Sequence, residues 1–444
     1  MSTIFLPKAL TFYPVSGLKS FFVHSLKVRP MIKKILKVFT KTSTEKAIAH
    51  ENAFAAQNYS PLPVLLKRGE GVYLWDVDGK KYLDMMSAYS AVSLGHGHPR
   101  IIRTLIAQAQ ALAVTSRAYH STTLGPFLEK LCVMTGLDLA LPMNTGAEAV
   151  ETAVKAARQW GYVSKKIPEN QAEIIVAEGN FHGRTTTVIS FSTEPDYRKN
   201  FGPFTPGFKV VPFGDLRAIE AAITPNTCAV LMEPIQGEAG IRVPSPGFLR
   251  GLRELCDKNN VLMVLDEVQS GLGRTGKMFA FEHEAAKPDL LILGKALGGG
   301  MLPVSAVVGT RVVMGLFKPG SHGSTFGGNA LAAAVGLEAL QVLEDENLAE
   351  NSAVLGEYML RALRAINSPL ITEVRGRGLW IGVDFDPRKI SARSVCEKLM
   401  ERGILSKDTH GTVVRFAPPL TITRDQIDWT LEQFRGVLRD IEVA

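Results

Sequence analysis

The sequence predicts an α/β protein, with a mostly parallel sheet covered by helices and a smaller α+β domain after it. Three observations carry this. Four short apolar runs, EIIVAEG (173–179), CAVLMEP (228–234), VLMVLDE (261–267) and LLILGK (290–295), lack the polar alternation of a half-exposed strand. Such runs suit strands buried on both faces. Amphipathic stretches such as GFLRGLRELCDKNN (247–260) lie between them, which is the alternation of an α/β domain. After Ala330 the pattern changes to helix-rich LAAAVGLEALQVLEDENLAEN. Strand-like GLWIGVDF (378–385) and TVVRFAPPL (412–420) follow, then a last helix near 424–441.

From the start of the chain, residues 1–44 hold eight Lys and Arg and no Asp or Glu. The remainder carries 42 basic against 43 acidic residues, a net of −1, so its charge gives no case for nucleic acid binding. No apolar run approaches the ~20 residues of a membrane span. The basic stretch alternates Lys with apolar residues, as an organelle transit peptide does, but it is poor in Arg, and Met31 is an alternative start. The expectation is a cytoplasmic protein, with the mitochondrial matrix as the alternative. Residues 1–44 are expected to be a disordered or targeting extension. Residues 45–89, with strand-like GVYLWDVDG and KKYLDMM, are expected to pack with a small C-terminal domain at 331–444, beside a large domain at 90–330. The four cysteines form no C-x-x-C and read as free thiols.

Three of the apolar runs end in charge, at Glu233, Asp266 and Lys295. Ligands of open α/β sheets bind at the carboxyl ends of the strands, so these positions form a candidate site. Lys295 is the only charged residue in LLILGKALGGGMLPVSAVVG. It reads either as a lysine snorkelling to water or as one kept nucleophilic for carbonyl chemistry. In NTGAEAVETAVKAARQWGY (144–162), the start of a helix offers free amides to an anion, or is an ordinary cap. GNFHGRTTTVIS places Phe181 to stack on a flat ring and Arg184 to grip a carboxylate by its fork. In LDEVQSGLGRTG, Asp266 either pairs with a protonated ring nitrogen or caps the following turn. His96 and His98 in GHGHP lack a companion pair with zinc-site spacing, so no metal site is expected.

The blocks NYSPLPVLLKRGEGVYLWDVDGKKYLD, SAYSAVSLGHGHP, LPMNTGAEAVETAVKAAR, EPIQGEAG, LDEVQSGLGRTG, LGKALGGGMLPVSAV, HGSTFGGN and VVRFAPPL occur in that order. Together they resemble the class III pyridoxal-phosphate-dependent aminotransferases of fold type I, most of all those acting on ornithine, from about residue 45 to the C-terminus. The resemblance implies pyridoxal 5'-phosphate as cofactor, ornithine and 2-oxoglutarate as substrates, and a homodimer. It implies Lys295 as the residue bonded to the cofactor, Asp266 on the ring nitrogen, Gln269 near the ring hydroxyl and Phe181 stacked on the ring with His182 beside it. Gly146 and Ala147 would give their amides to the phosphate, and Thr325 would reach the phosphate of the neighbouring subunit. Tyr59 and Arg184 would hold the amino-acid end of ornithine, and Tyr89 would shape the pocket. Arg415 would receive the carboxylate of 2-oxoglutarate, with Glu238 as its partner while ornithine is bound. One departure is His182, where ornithine-type members often carry Trp; FHGRT is more typical of acetylornithine enzymes. Acetylornithine and 4-aminobutyrate transamination are therefore the alternatives, with a non-catalytic scaffold of the same fold a more distant one.

Overall fold

The structure, a computed structural model, describes residues 44–443, so the basic stretch at 1–43 lies outside the described residues. The described residues divide into two units, one up to Leu66 and one from Lys67 on. In the first, Thr44–Asn52 is a helix with no buried residue, and Tyr59 is exposed.

The strands in chain order begin with β1 (Leu66–Glu70), β2 (Tyr73–Asp76) and β3 (Lys81–Asp84). Seven more follow: β4 (Leu139–Met143), β5 (Glu173–Ala177), β6 (Phe208–Val211), β7 (Thr227–Met232), β8 (Leu262–Asp266), β9 (Leu290–Leu293) and β10 (Ser305–Gly309). These make one sheet in the order β4-β10-β9-β8-β7-β5-β6. Pairings from β9 through β6 are parallel, and β10 runs antiparallel to both of its neighbours. The four apolar runs are thus β5, β7, β8 and β9, and every residue of the last three is buried. Three further strands complete the sheet, β4 and β10 beyond β9 and β6 beyond β5. LALPM tolerates Pro142 because β4 is an edge strand, where a missing N–H breaks no central ladder.

Helix Gly146–Val163 lays Ala149, Val150, Ala153, Val154, Ala156, Ala157 and Trp160 on the sheet. They pack with Ile174, Val176, Leu231, Val264 and Ile292 from four successive strands. Alanines on that stripe let the helix approach closely, and each fully buried Val, Leu or Ile contributes about 1.5–3 kcal/mol.

The rest of the chain forms β11 (Ile371–Gly376), β12 (Ile381–Phe385), β13 (Ile404–Leu405), β14 (Lys407–Thr409) and β15 (Val413–Phe416). The antiparallel sheet β11-β12-β15-β14 carries Arg415 on β15. Strand β13 instead pairs in parallel with β3, which ties sequence near Tyr82 to the C-terminal region. The helix-rich stretch after Ala330 is two helices, Ala330–Asp345 and Leu348–Arg364, broken at Asn347 with φ of 51°. The last helix is Arg424–Val443. Cys228, Cys256 and Cys396 are buried free thiols, and burial pushes each up to about 12.

Candidate active site

Strands β5, β7, β8 and β9 point the same way, and so does β4, being antiparallel to a strand that is antiparallel to β9. Their carboxyl ends therefore share one edge. Gly146 and Ala147 follow β4, Phe181 to Gly183 follow β5, and Glu233 follows β7. Asp266 closes β8 and Lys295 follows β9. With Ile235, Val268, Gln269 and Ser270, these residues line a cavity of about 190 Å³.

At the helix side of the cavity, Thr145 and Glu148 form a reciprocal cap. Thr145 Oγ1 accepts from Glu148 N (3.2 Å), and Glu148 Oε2 accepts from Thr145 N (2.8 Å) and Asn144 N (3.0 Å). This satisfies the amides on either side but leaves those of Gly146 and Ala147 without a protein acceptor among the described residues. Two free amides at a helix N-terminus bind an anion well, because the helix dipole adds to their own. A Cβ at Gly146 would stand 3.1 Å from Val268 Cγ1, so a side chain there would crowd the cavity wall.

At the floor, Asp266 Oδ2 meets His182 Nδ1 at 2.7 Å, and Oδ1 accepts from Val268 N at 3.0 Å. His182 has no exposed side-chain surface. Burial works against its charge, but the hydrogen bond and charge of Asp266, with Glu233 beyond, raise its pKa. Glu233 Oε1 accepts from Phe181 N (3.0 Å) and Oε2 from Gly237 N (3.1 Å). Burial pushes Glu233 up to about 7 in spite of those bonds and the nearby imidazole.

Lys295 has φ of 45°, a left-handed backbone rare outside glycine, at the start of the turn Lys295–Gly298. Strain of this kind costs about 1–3 kcal/mol and persists where the surroundings hold it. Burial lowers the Lys295 ammonium, against the pull of Glu238, Asp266 and Glu233. That favours a neutral, nucleophilic amine.

Toward the smaller sheet, Glu238 Oε1 accepts from Arg415 Nη1 (2.9 Å) and from Gln269 Nε2 (3.0 Å). Burial opposes ionisation of Glu238, but Arg415, Lys295 and Gln269 hold it below the usual carboxylate range. The Arg415 guanidinium is buried and lies 5.1 Å from the centre of the Tyr89 ring.

Arg184 and Thr325 do not line the cavity. Arg184 is exposed and stacks on Tyr197, 3.8 Å from the ring centre, while Tyr197 meets Phe181 edge-on at 5.9 Å. Thr325 is exposed, next to Ser324, which accepts from Asn144 Nδ2 at 3.0 Å. Tyr59 belongs to the first unit. His96 and His98 each meet a carboxylate, Asp84 at 2.7 Å and Glu346 at 3.0 Å. Sequence reasoning missed Tyr197, which sits in the short helix Pro195–Arg198, outside any motif. It noticed Glu233 only as a strand-end charge, whereas the side chain joins Phe181 to the segment leading to Glu238.

The fold and this edge are those of an aminotransferase: the family model "Aminotransferase class-III" matches residues 54–438, and the chain belongs to that family. Among curated relatives, ornithine aminotransferase of Brevibacillus brevis is 55% identical over 401 residues, covering 90% of this chain and all of the relative. A solved ornithine aminotransferase from Toxoplasma gondii, with partial occupancy of PLP at its active site, has a TM-score of 0.91. It is 44% identical and covers 93% of this chain and 98% of its own. Acetylornithine aminotransferase from Elizabethkingia anophelis has a TM-score of 0.82 and is 46% identical, covering 90% of this chain and 100% of its own.

The residues present fit pyridoxal phosphate. The two open amides of Gly146 and Ala147 suit its phosphate, and the Asp266 carboxylate suits a protonated ring nitrogen. Two polar atoms in the cavity wall, His182 Nε2 and Ser270 Oγ, are buried without a hydrogen-bond partner among the described residues. Buried polar atoms are seldom left so, and in a cavity wall they point to a bound group.

Proposed function

We propose that this chain transfers the δ-amino group of L-ornithine to 2-oxoglutarate, giving glutamate 5-semialdehyde, which cyclises to pyrroline-5-carboxylate, and glutamate. The observation that carries it is the Glu238–Arg415 pair beside Lys295, since one pocket must accept first an amino acid with one carboxylate and then a diacid. Pyridoxal phosphate, when bound, supplies the electrophilic carbon that takes the amino group and a ring that stores the electron pair released at the substrate carbon.

The chain's own residues do the rest. Lys295 would hold the cofactor covalently, and its Nζ, when free, would take a proton from the δ-carbon of ornithine. Its burial keeps that amine able to accept the proton. Asp266 would pair with the ring nitrogen and favour its protonated form, and His182 orients the Asp266 carboxylate. Phe181 would stack on the ring, Gln269 would lie near its hydroxyl, and Gly146 and Ala147 would hold the phosphate. Glu238 occupies Arg415 while ornithine is bound, so the ornithine carboxylate goes to Arg184 and Tyr59, with Tyr89 shaping the pocket. In the second half-reaction a carboxylate of 2-oxoglutarate replaces Glu238 on Arg415.

The protein works as a homodimer in this reading, with exposed Thr325 reaching the phosphate of the neighbouring subunit, and in the cytoplasm. The division at 89 and 330 into a large and a small domain belongs to it too. It is supported by the seven strands of the large sheet falling within 139–309 and Arg415 lying on a separate sheet.

The test is purified protein with 2-oxoglutarate and, separately, ornithine, acetylornithine and 4-aminobutyrate, measuring the glutamate formed and, with ornithine, trapping the cyclised product. Ornithine should be used best by at least about tenfold, a preference worth about 1.4 kcal/mol at the transition state. Faster turnover of acetylornithine would overturn the substrate assignment and leave the reaction class standing.

A further inference from the structure

Tyr89 sits in a backbone that its sequence does not explain. Ser87, Ala88, Tyr89 and Ser90 have φ of 44°, 47°, 59° and 72°, a complete left-handed turn with no glycine. Left-handed helical backbone costs roughly 1–2 kcal/mol per residue, so the turn exists only because neighbours hold it.

Two side chains do so. Asp84 Oδ1 accepts from Met86 N (2.9 Å) and Ser87 N (2.8 Å), while Oδ2 meets His96 Nε2 at 2.7 Å. The second is Arg274, which has no exposed surface. Its Nη2 donates to Ser87 Oγ (3.2 Å) and Ser93 Oγ (2.9 Å). Its Nη1 donates to Pro418 O (2.6 Å) and Leu379 O (2.9 Å). The serines extend the bracing, since Ser87 Oγ donates to Ala417 O (2.7 Å) and Ser93 Oγ to Ser90 O (2.9 Å). Ala417 and Pro418 directly follow β15, the strand of Arg415. One guanidinium therefore fastens the turn that carries Tyr89 to the end of the strand whose Arg415 lies against the Tyr89 ring.

All four acceptors of Arg274 are neutral. Burial pushes its pKa down to about 9, opposed only by the charge of Asp84. A buried cation without a hydrogen-bonded carboxylate is costly, and lysine offers no planar fork to span acceptors on both sides.

We propose that Arg274 is a positioning residue for the second substrate: by locking the turn 87–90 to β15 it holds Tyr89 against Arg415 and so aims that guanidinium at the incoming carboxylate. This rests on the reading that Arg415 takes a carboxylate of 2-oxoglutarate.

The test is a double-mutant cycle on holoenzyme, with Arg274→Lys, Tyr89→Ala and the pair, following each half-reaction in single turnover. Each single variant should raise the half-saturating 2-oxoglutarate concentration by about tenfold, a coupling of the size contacting residues show. In Arg274→Lys the ornithine half-reaction should change much less, and the double variant should bind 2-oxoglutarate no worse than the poorer single. Effects on 2-oxoglutarate that multiply, or equal losses in both half-reactions of Arg274→Lys, overturn the proposal. If Arg274→Lys does not fold, Ser93→Ala removes one link without touching charge and should give the same selective shift at smaller size; no selectivity there overturns it. Arg415→Ala separates the two ideas. If that variant keeps a normal 2-oxoglutarate half-reaction, the reading of Arg415 falls and this inference with it. If it loses that half-reaction while the cycle is multiplicative, only the positioning role of Arg274 falls.

Discussion

The two ends of the cavity hold their carboxylates differently. At the floor each carboxylate has a main-chain donor in a tight connection after a strand: Asp266 accepts from Val268 N besides meeting His182 Nδ1, and Glu233 accepts from Phe181 N and Gly237 N. Toward the smaller sheet, the Glu238 carboxylate accepts from Arg415 Nη1 and Gln269 Nε2, and among the described residues it has no main-chain donor. A main-chain amide in a packed turn cannot leave its acceptor without moving the turn, whereas side-chain partners part by a rotamer change. The floor is therefore built to keep one arrangement, as proton chemistry at a fixed ring requires. The Arg415 end is built to exchange one carboxylate for another.

If the floor is the fixed end, its variants should fail in chemistry and not in selectivity. Lys295→Ala should bind the cofactor through the remaining contacts, lack the absorbance of the lysine-linked form, and lose turnover by about 10⁴-fold or more. Near-normal turnover would remove Lys295 from the chemistry. Asp266→Asn should slow the proton-transfer step by about 10²–10³-fold, a loss like that of removing one charge-stabilising group, with little change in ornithine affinity. A variant with a normal chemical rate and poor affinity would make Asp266 structural.

If the Arg415 end is the exchangeable one, its variants should change which substrate, and which end of it, is used. Opposite charges in contact at a partly buried site attract by about 4 kcal/mol before desolvation, enough to turn ornithine round. Glu238→Ala should therefore slow δ-transamination about tenfold, release α-transamination product, and leave the 2-oxoglutarate half-reaction intact. Equal loss in both half-reactions with regiospecificity preserved would reduce the pair to a brace.

The smallest effect sharpens the comparison through pH. Glu233 is pushed up to about 7 from the ordinary 4.5. Its folded form binds a proton more tightly than its unfolded form, so its contribution is complete below the ordinary carboxyl value and is lost as pH rises through 7. Denaturant midpoints of the holoenzyme should fall between pH 5 and pH 8 by an amount equivalent to about 1–3 kcal/mol. Glu233→Gln should flatten part of that slope. The same slope in both proteins would show that Glu233 does not titrate in this range.

How much of this was legible in the sequence varies by region. The floor was: β7, β8 and β9 are unbroken apolar runs, and the charge at each end announces itself against them. The Arg415 end was visible only through the resemblance, because Glu238 and Arg415 stand 177 residues apart and the strand-like run that contains Arg415 gives no sign of its partner. Strands β4 and β10 were not named, since LALPM carries a proline and SAVVG follows the glycine-rich turn without a break. His182 reads as a substitution for tryptophan in sequence, and only the 2.7 Å contact shows it as the partner of Asp266.

By itself the sequence determined what depends on near neighbours along the chain: the buried strands, the helix with its capping pair Thr145 and Glu148, and the charges at the strand ends. Periodicity and capping act over a few residues, so a short window contains their cause. Only the tertiary structure decided what depends on residues brought together from afar. The pairing of Glu238 with Arg415 is one case. The other is the left-handed turn at Ser87–Ser90, which no glycine announces, because one of the two side chains that hold it, Arg274, stands 187 residues away from Ser87.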